Sequence, residues 1–270
     1  MMIRKIGLWV WMLLCLTGCM KQTRLEAVLE LAGENRQELE AVLEHYRNDE
    51  RKYRATCFLI ENMAHRHSVV GKGVDEFYSF IDSVYRIQQQ EYDIPAIYAE
   101  YRRTACLQGV GLRREWDVKH LTAEHLIRSI DGAFEVWGKP WNKHLSLEEF
   151  CEWILPYRLH DELLEDWRPL YREAFGDLLT DSIRTAREAC TAVNNRLIGL
   201  PIHIALSSIR PSAIRPSSLL HIKFGLCEDY ADLAVYAMRA LGIPVGIEVV
   251  PHWGSANNNH TFNVVYDNDG

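Results

Sequence analysis

The chain has 270 residues, 48% of them hydrophobic and 25% charged, with 16 glycines and 9 prolines. These proportions exclude a collagen, a disordered tail and a multi-span membrane protein, and the length allows one or two domains with a sizeable core. A formal net charge of −7 argues against nucleic acid as a partner, because there is no basic surplus to neutralise phosphates.

The N-terminus opens on Arg4 and Lys5, followed by an uncharged apolar run from Ile6 to Leu16. A bilayer span takes about 20 residues, so a run this short suits a signal peptide. It ends in Leu16-Thr17-Gly18-Cys19, small residues ahead of a cysteine, which resembles a bacterial lipobox. The expectation is a leader over residues 1–18, export, and lipidation of Cys19 that holds a soluble body at the cell envelope. An ordinary secretory leader that happens to contain Cys19 is the competing reading. Beyond Cys15 and Cys19 the chain keeps Cys57, Cys106, Cys151, Cys190 and Cys227. None of these forms a Cys-x-x-Cys pair, so a zinc ribbon or a thioredoxin motif is not supported. Whether four of them pair or all are free thiols stays open.

From residue 24 to about 200 the pattern is mainly helical. Leu-Glu-Ala-Val-Leu-Glu occurs at 25–30 and again at 39–44, with Gly33 between. Gly33 is a stop, and Asn35 with Glu38 reads as a fresh N-cap with a capping-box acid, so two helices are expected. Helical spacing of apolar residues recurs through 52–64, 74–89 and 94–108, and Ser146 with Glu149 marks another start. From Phe150 to Phe175 run Trp153, Tyr157, Trp167 and Tyr171, an aromatic stripe that belongs in a core. The character changes at 207–218, where Pro211 and Pro216 sit among serines. This reads as a solvated loop, with Arg210 and Arg215 facing water; the competing reading is that the two arginines hold an acidic group.

The chemistry gathers after that loop. Cys227-Glu228-Asp229 begins an Ala-rich stretch that closes on Arg239, Gly242 and Pro244, the signals of a helix bounded at both ends. Cys227 therefore sits at a helix N-terminus, where free N–H groups and the helix dipole favour a thiolate nucleophile. Glu228 and Asp229 oppose that, so a cationic partner is required. Residues 245–250 alternate as a strand, and a second strand starts at His260, giving an antiparallel hairpin. A helix packed on that hairpin brings Cys227 and His260 towards each other. A metal centre built from Cys227, Asp229, His252 and His260 lacks the spacing of known ligand pairs.

Gly225-Leu226-Cys227-Glu228-Asp229 with Ala231, the exit Arg239-Ala-Leu-Gly-Ile-Pro-Val, and His260-Thr-Phe-Asn-Val-Val-Tyr together resemble the core of the bacterial transglutaminase-like superfamily. Residues 151–167, with Leu155-Pro-Tyr-Arg158 and Leu164-Glu-Asp-Trp-Arg168, resemble the helical region that precedes the core in a lipoprotein branch of that family. The resemblance implies an α+β fold: a helical region over 19–206, then a papain-like core over 207–270 in which a helix packs on antiparallel strands. It implies Cys227 as nucleophile and His260 as general base and acid, with the backbone N–H of Cys227 holding an oxyanion; Trp253 either lines the entrance or is an apolar lid or core residue. The family's triad acid lies on the strand after the His strand, and here Asp267-Asn268-Asp269-Gly270 reads as the turn before it. The expectation is therefore a C-terminally truncated core. Asp267 falls seven positions after His260, too far at about 3.3 Å per residue to orient the same imidazole.

Two functions follow. One is an envelope-anchored, thiol-dependent acyl-transfer enzyme acting on amide bonds of a protein or peptide substrate, which needs no cofactor and no metal. The other is a catalytically inactive surface lipoprotein that binds protein or glycan.

Overall fold

The computed structural model describes residues 23–90, 93–198, 203–204, 210–222, 224–252, 254 and 259–267. The leader, Cys19, Trp253 and Asp269 lie outside the described residues. The fold is α+β, as expected, with mainly helical structure ahead of a helix and an antiparallel hairpin.

Thr23 caps α1 (Arg24–Ala32), its hydroxyl accepting the Glu26 N–H at 3.2 Å. Gly33 ends that helix at φ 61°, a left-handed conformation in which glycine is free of strain. A 3₁₀ turn then leads into α2 (Arg36–His45). The helix break is where the sequence places it, but the capping box is not formed. Asn35 Nδ2 instead donates to the carbonyls of Val118 and Leu121, at 3.2 and 3.1 Å, and Glu38 accepts the Ala123 N–H at 2.7 Å. Those groups lie at the ends of α6 (Asp117–His120) and α7 (Ala123–Phe134), where backbone polar groups lack intrahelical partners. The supposed caps are tertiary staples.

Between them run α3 (Glu50–Glu61), β1 (His67–Val70), α4 (Lys72–Gln90), α5 (Ile94–Thr104) and β2 (Arg113–Trp116). The antiparallel β1–β2 ladder lies in the stretch that the sequence reads as mainly helical, outside its segments 52–64, 74–89 and 94–108. Ser146 and Glu149 do form the expected capping box on α8 (Leu147–Trp153), at 3.2 and 2.7 Å. There follow α9 (Trp167–Phe175), α10 (Ala186–Ile198), β3 (His203–Ile204), α11 (Pro216–Leu219) and β4 (Phe224–Gly225), which pairs in parallel with β3. The last elements are α12 (Cys227–Ala240), β5 (Val245–Val250) and β6 (His260–Val265), the two strands pairing antiparallel from Val245↔Val265 to Val250↔His260.

Two hydrophobic clusters form the core. One surrounds α12 and takes in Phe80, Ile97, Trp167, Tyr171, Phe175 and Val193. The other packs α1, α2, α3, α7 and α8 through Leu39, Ile60, Leu126, Phe150 and Leu155. The aromatic stripe is core, as expected, and is divided between the two. At the exit of α12, Gly242 stands at φ 74°, and a Cβ there would meet Asn142 Nδ2 and Val136 O at 2.6 Å. Asn142, fully buried, donates to Val136 O and Gly242 O, both at 2.7 Å, and so ties the end of α12 to the helical region.

Arg168 joins the clusters from inside. Its guanidinium donates to the carbonyls of Ile154 and Leu155 at 2.7 and 3.0 Å and to Arg239 O at 3.3 Å, and lies 4.3 Å from the Trp167 ring. Burial, with Arg239 nearby, pulls its pKa down to about 9, which still leaves it charged at neutral pH. The substitution Arg168→Leu strands these carbonyls in the core. It is expected to destabilise the protein by about 3 kcal/mol in chemical denaturation; a loss below about 0.5 kcal/mol would show that the carbonyls find other partners.

Candidate active site at the start of a buried helix

Cys227 is the first residue of α12 and is partly exposed, whereas 11 of the 14 residues of that helix are buried. The helix start is set by Asp229, whose Oδ2 accepts the Leu226 N–H at 2.7 Å. Thr261, Asn263 and Val265 alternate towards α12 from β6: Thr261 is buried, Asn263 Nδ2 donates to Ala231 O at 3.0 Å, and Val265 packs on the core. At the far end Arg239 reaches Val245 O at 3.0 Å. The strand β6 therefore runs alongside α12 from its N-terminal end, and His260 stands at the Cys227 end.

His260 opens β6, and its side chain takes the other face of the strand. Strand alternation sets it with Phe262 and Val264, on the face opposite Thr261 and Asn263. Its ring stacks on Phe262 with centroids 6.3 Å apart. Among the described residues no hydrogen bond joins Cys227 to His260, each of which lies at the same end of the helix.

The cation that the first-turn acids require comes from Arg210. Its guanidinium pairs with Glu228 at 2.8 Å and also with Asp229, and its side chain is only 15% exposed. The reading of Arg210 and Arg215 as solvated is therefore corrected. Arg215 covers the Tyr78 ring at 4.5 Å and lies 3.6 Å from Glu165. Arg210 is drawn in because a carboxylate buried by helix packing, here Asp229, must be paired. Burial nevertheless pushes Asp229 above the usual carboxylate range, with Arg210 and the Leu226 N–H working against it.

One turn further along, Asp232 is buried and bonded to His160 Nε2 at 2.8 Å. His160 belongs to the connection between α8 and α9, which is pinned from below by Glu162. That carboxylate accepts the N–H groups of Leu159 and His160, at 2.9 and 2.8 Å, and the Tyr236 hydroxyl at 2.6 Å. His160 was not singled out by sequence reasoning. The available signal was Asp232 itself, an acid in a helix otherwise read as buried.

The remaining sequence candidates separate from this site. Asp267 lies 3.7 Å from Arg187, and His252 is exposed. Cys57, Cys106, Cys151, Cys190 and Cys227 are all free thiols, and burial pushes Cys151 up to about 12. Among the described residues no three His, Cys, Asp or Glu side chains gather as a metal site.

Burial pulls the His160 imidazole down, but the Asp232 hydrogen bond and charge, backed by Glu162 and Asp161, raise it above its ordinary value. The imidazole's contribution to stability is therefore present below its unfolded pKa of about 6.5 and is lost as pH rises through the higher folded value, while Asp232, itself raised by burial, must stay ionised for the pair to hold. The destabilisation caused by His160→Gln should shrink as pH rises from about 6.5 into the alkaline range. A difference that stays constant across that range would remove the ion-pair assignment.

None of the curated proteins and none of the solved structures matches the chain. Residues 174–270, which hold α10, α12, the β5–β6 hairpin, Cys227 and His260, match the transglutaminase-like superfamily.

Proposed function

We propose that this protein carries out thiol-dependent acyl transfer or hydrolysis at amide bonds, with Cys227 as nucleophile and His260 as its base, in a papain-like arrangement of α12 on the β5–β6 hairpin. The observation that carries the reading is Cys227 on the first turn of a buried helix, within the superfamily match, its two neighbouring acids both paired with Arg210. A thiolate there is favoured by the helix N-terminus and is no longer opposed by two unpaired carboxylates. It attacks the amide carbonyl carbon; the C–N bond breaks, the amine leaves with a proton delivered by the imidazolium, and an acyl-enzyme thioester remains. Water then gives hydrolysis, and an amine gives transfer. First-turn N–H groups, which have no intrahelical acceptor, are the available stabilisers of the oxyanion.

The second reading, an inactive binding module of the envelope, is favoured by one observation. His260 shares its face with Phe262, and catalysis requires its ring to turn across the start of β6 to reach the thiol. In either reading the proposed leader and lipidated Cys19 tether the protein to a bacterial membrane. Among the described residues no helix is long and apolar enough to cross one.

Alkylation separates the two readings. In a background lacking Cys57, Cys106, Cys151 and Cys190, Cys227 should react with iodoacetamide at neutral pH about tenfold faster than a free cysteine, and His260→Ala should abolish the difference. An ordinary rate in both proteins would select the inactive module. For the tether, Cys19→Ala expressed with its leader should move from the detergent phase to the aqueous phase on partitioning; retention in detergent would refute lipidation at that residue.

A further inference from the structure

The hairpin has an open edge, and its hydrogen bonds fix which backbone groups lie along it. Tyr266 N–H donates to Pro244 O at 3.0 Å across the two chains of the hairpin, so residues 244 and 266 form a hydrogen-bonded pair. Antiparallel pairs alternate between bonded and non-bonded. Gly246, Glu248 and Val250 therefore bond across to Val264, Phe262 and His260, whereas Val245, Ile247 and Val249 turn their N–H and C=O groups away from β6. The carbonyl of Val245 agrees with this alternation, since Arg239 takes it from outside the hairpin at 3.0 Å. The outward groups of Ile247 and Val249 have no partner among the described residues, where β5 pairs with β6 alone.

This edge borders a cleft of about 330 Å³, lined by Ile247 and Val249, by residues 210–213, and by His160, Asp161 and Glu228, the neighbour of Cys227. Val249 is 54% exposed, which leaves the edge open to solvent. Unpaired ladder groups on an edge strand are a template for another extended chain. In strand addition the main-chain bonds supply affinity and the side-chain pockets supply selectivity. Here the charges set the selectivity. Arg210 is shared by Glu228 and Asp229, and His160 is matched by Asp232. Asp161 accepts the Ala213 N–H at 2.9 Å, and no arginine or lysine pairs with it among the described residues. Carboxylates thus outnumber cations around the cleft, so a basic side chain entering it finds a counter-charge and an acidic one meets repulsion.

We propose that β5 is a docking edge on which an extended peptide adds as a strand through the N–H and C=O groups of Ile247 and Val249, with a basic side chain in the cleft against Asp161 and Glu228. The part this edge plays in turnover rests on Cys227 being the nucleophile; the docking does not. The full chain carrying Cys227→Ser is titrated with N-acetyl-Ala-Val-Arg-Val-Ala-N-methylamide and with the same peptide bearing Glu at the centre. Amide hydrogen exchange followed by NMR is the readout. In the free protein Ile247 and Val249 should exchange about tenfold or more faster than Gly246 and Glu248, and saturating arginine peptide should slow them about tenfold. Methylating one alternate set of peptide nitrogens should abolish binding, and methylating the other set should leave it within about twofold. The glutamate peptide should bind about fivefold more weakly or worse, and Asp161→Asn with Glu228→Gln should bring the two peptides to within about twofold of each other.

The methylated peptides act on unaltered acids, so that arm stands even where the double substitution disturbs folding. Protection of Ile247 and Val249 in the free chain, N-methylation that has no effect in either set, or no saturable response at about 10 mM peptide would each overturn the docking edge. A glutamate peptide that binds as tightly as the arginine peptide, or a preference for arginine that survives in a folded double variant, would overturn the selection of a basic side chain. A reactive Cys227 with no peptide bound defeats the docking edge alone. Docking with an ordinary thiol defeats the enzyme reading alone.

Discussion

The structure depends on burying α12 on every side although it carries charge. Its residues include Asp229, Asp232 and Arg239, all buried, alongside Tyr236. Removing one partner of a buried charged pair costs about 3–5 kcal/mol, whereas the pair itself adds little compared with an apolar substitute. The pairs are therefore best understood by what they position. Asp229 draws in Arg210, Asp232 draws in His160, Tyr236 bonds Glu162, and Arg239 holds the carbonyl of Val245. The first three anchor earlier segments of the chain to the helix, and Arg239 ties it to the start of β5, six residues on.

Those anchors build the cleft. The 210–213 segment and the connection around His160 are irregular backbone, which ordinarily lies loose on a surface. Here both are fixed at the end of α12 where Cys227 lies, Arg210 by two carboxylates and His160 from above and below by Asp232 and Glu162. The hydroxyls of Ser212 and Thr261 are buried there without a hydrogen-bond partner.

The helical region supports the hairpin as well as the helix. Trp153 stacks on Tyr266 with centroids 5.5 Å apart, and a Cβ at Gly246 would come within 2.8 Å of the Trp153 ring. Tyr266 donates to Glu149 at 2.5 Å, so the acid that caps α8 also receives the end of β6. With Asn142 at the exit of α12 and Arg168 between the two clusters, the helical region contacts the hairpin and the helix at several buried points. Changes far from Cys227 can therefore alter the geometry around it.

The sequence by itself determined the local features: the break at Gly33, the Ser146 capping box, the extent of α12, the two strands of the hairpin, and a core drawn from the aromatic stripe. Each of these is written in residues close in the chain, through periodicity, caps and glycine conformation. Cys227 at a helix start was legible for the same reason. Only the tertiary structure decided where the long side chains go. Asn35 and Glu38 have the pattern of a cap but bond to other helices, and Arg210 looks solvated in its Pro-Ser surroundings but pairs with acids of α12. The face taken by His260, the His160–Asp232 pair and the unbonded hydroxyls of Ser212 and Thr261 were equally hidden. Burial in this fold comes from contacts between distant segments, and burial is what compels a charge to find a partner.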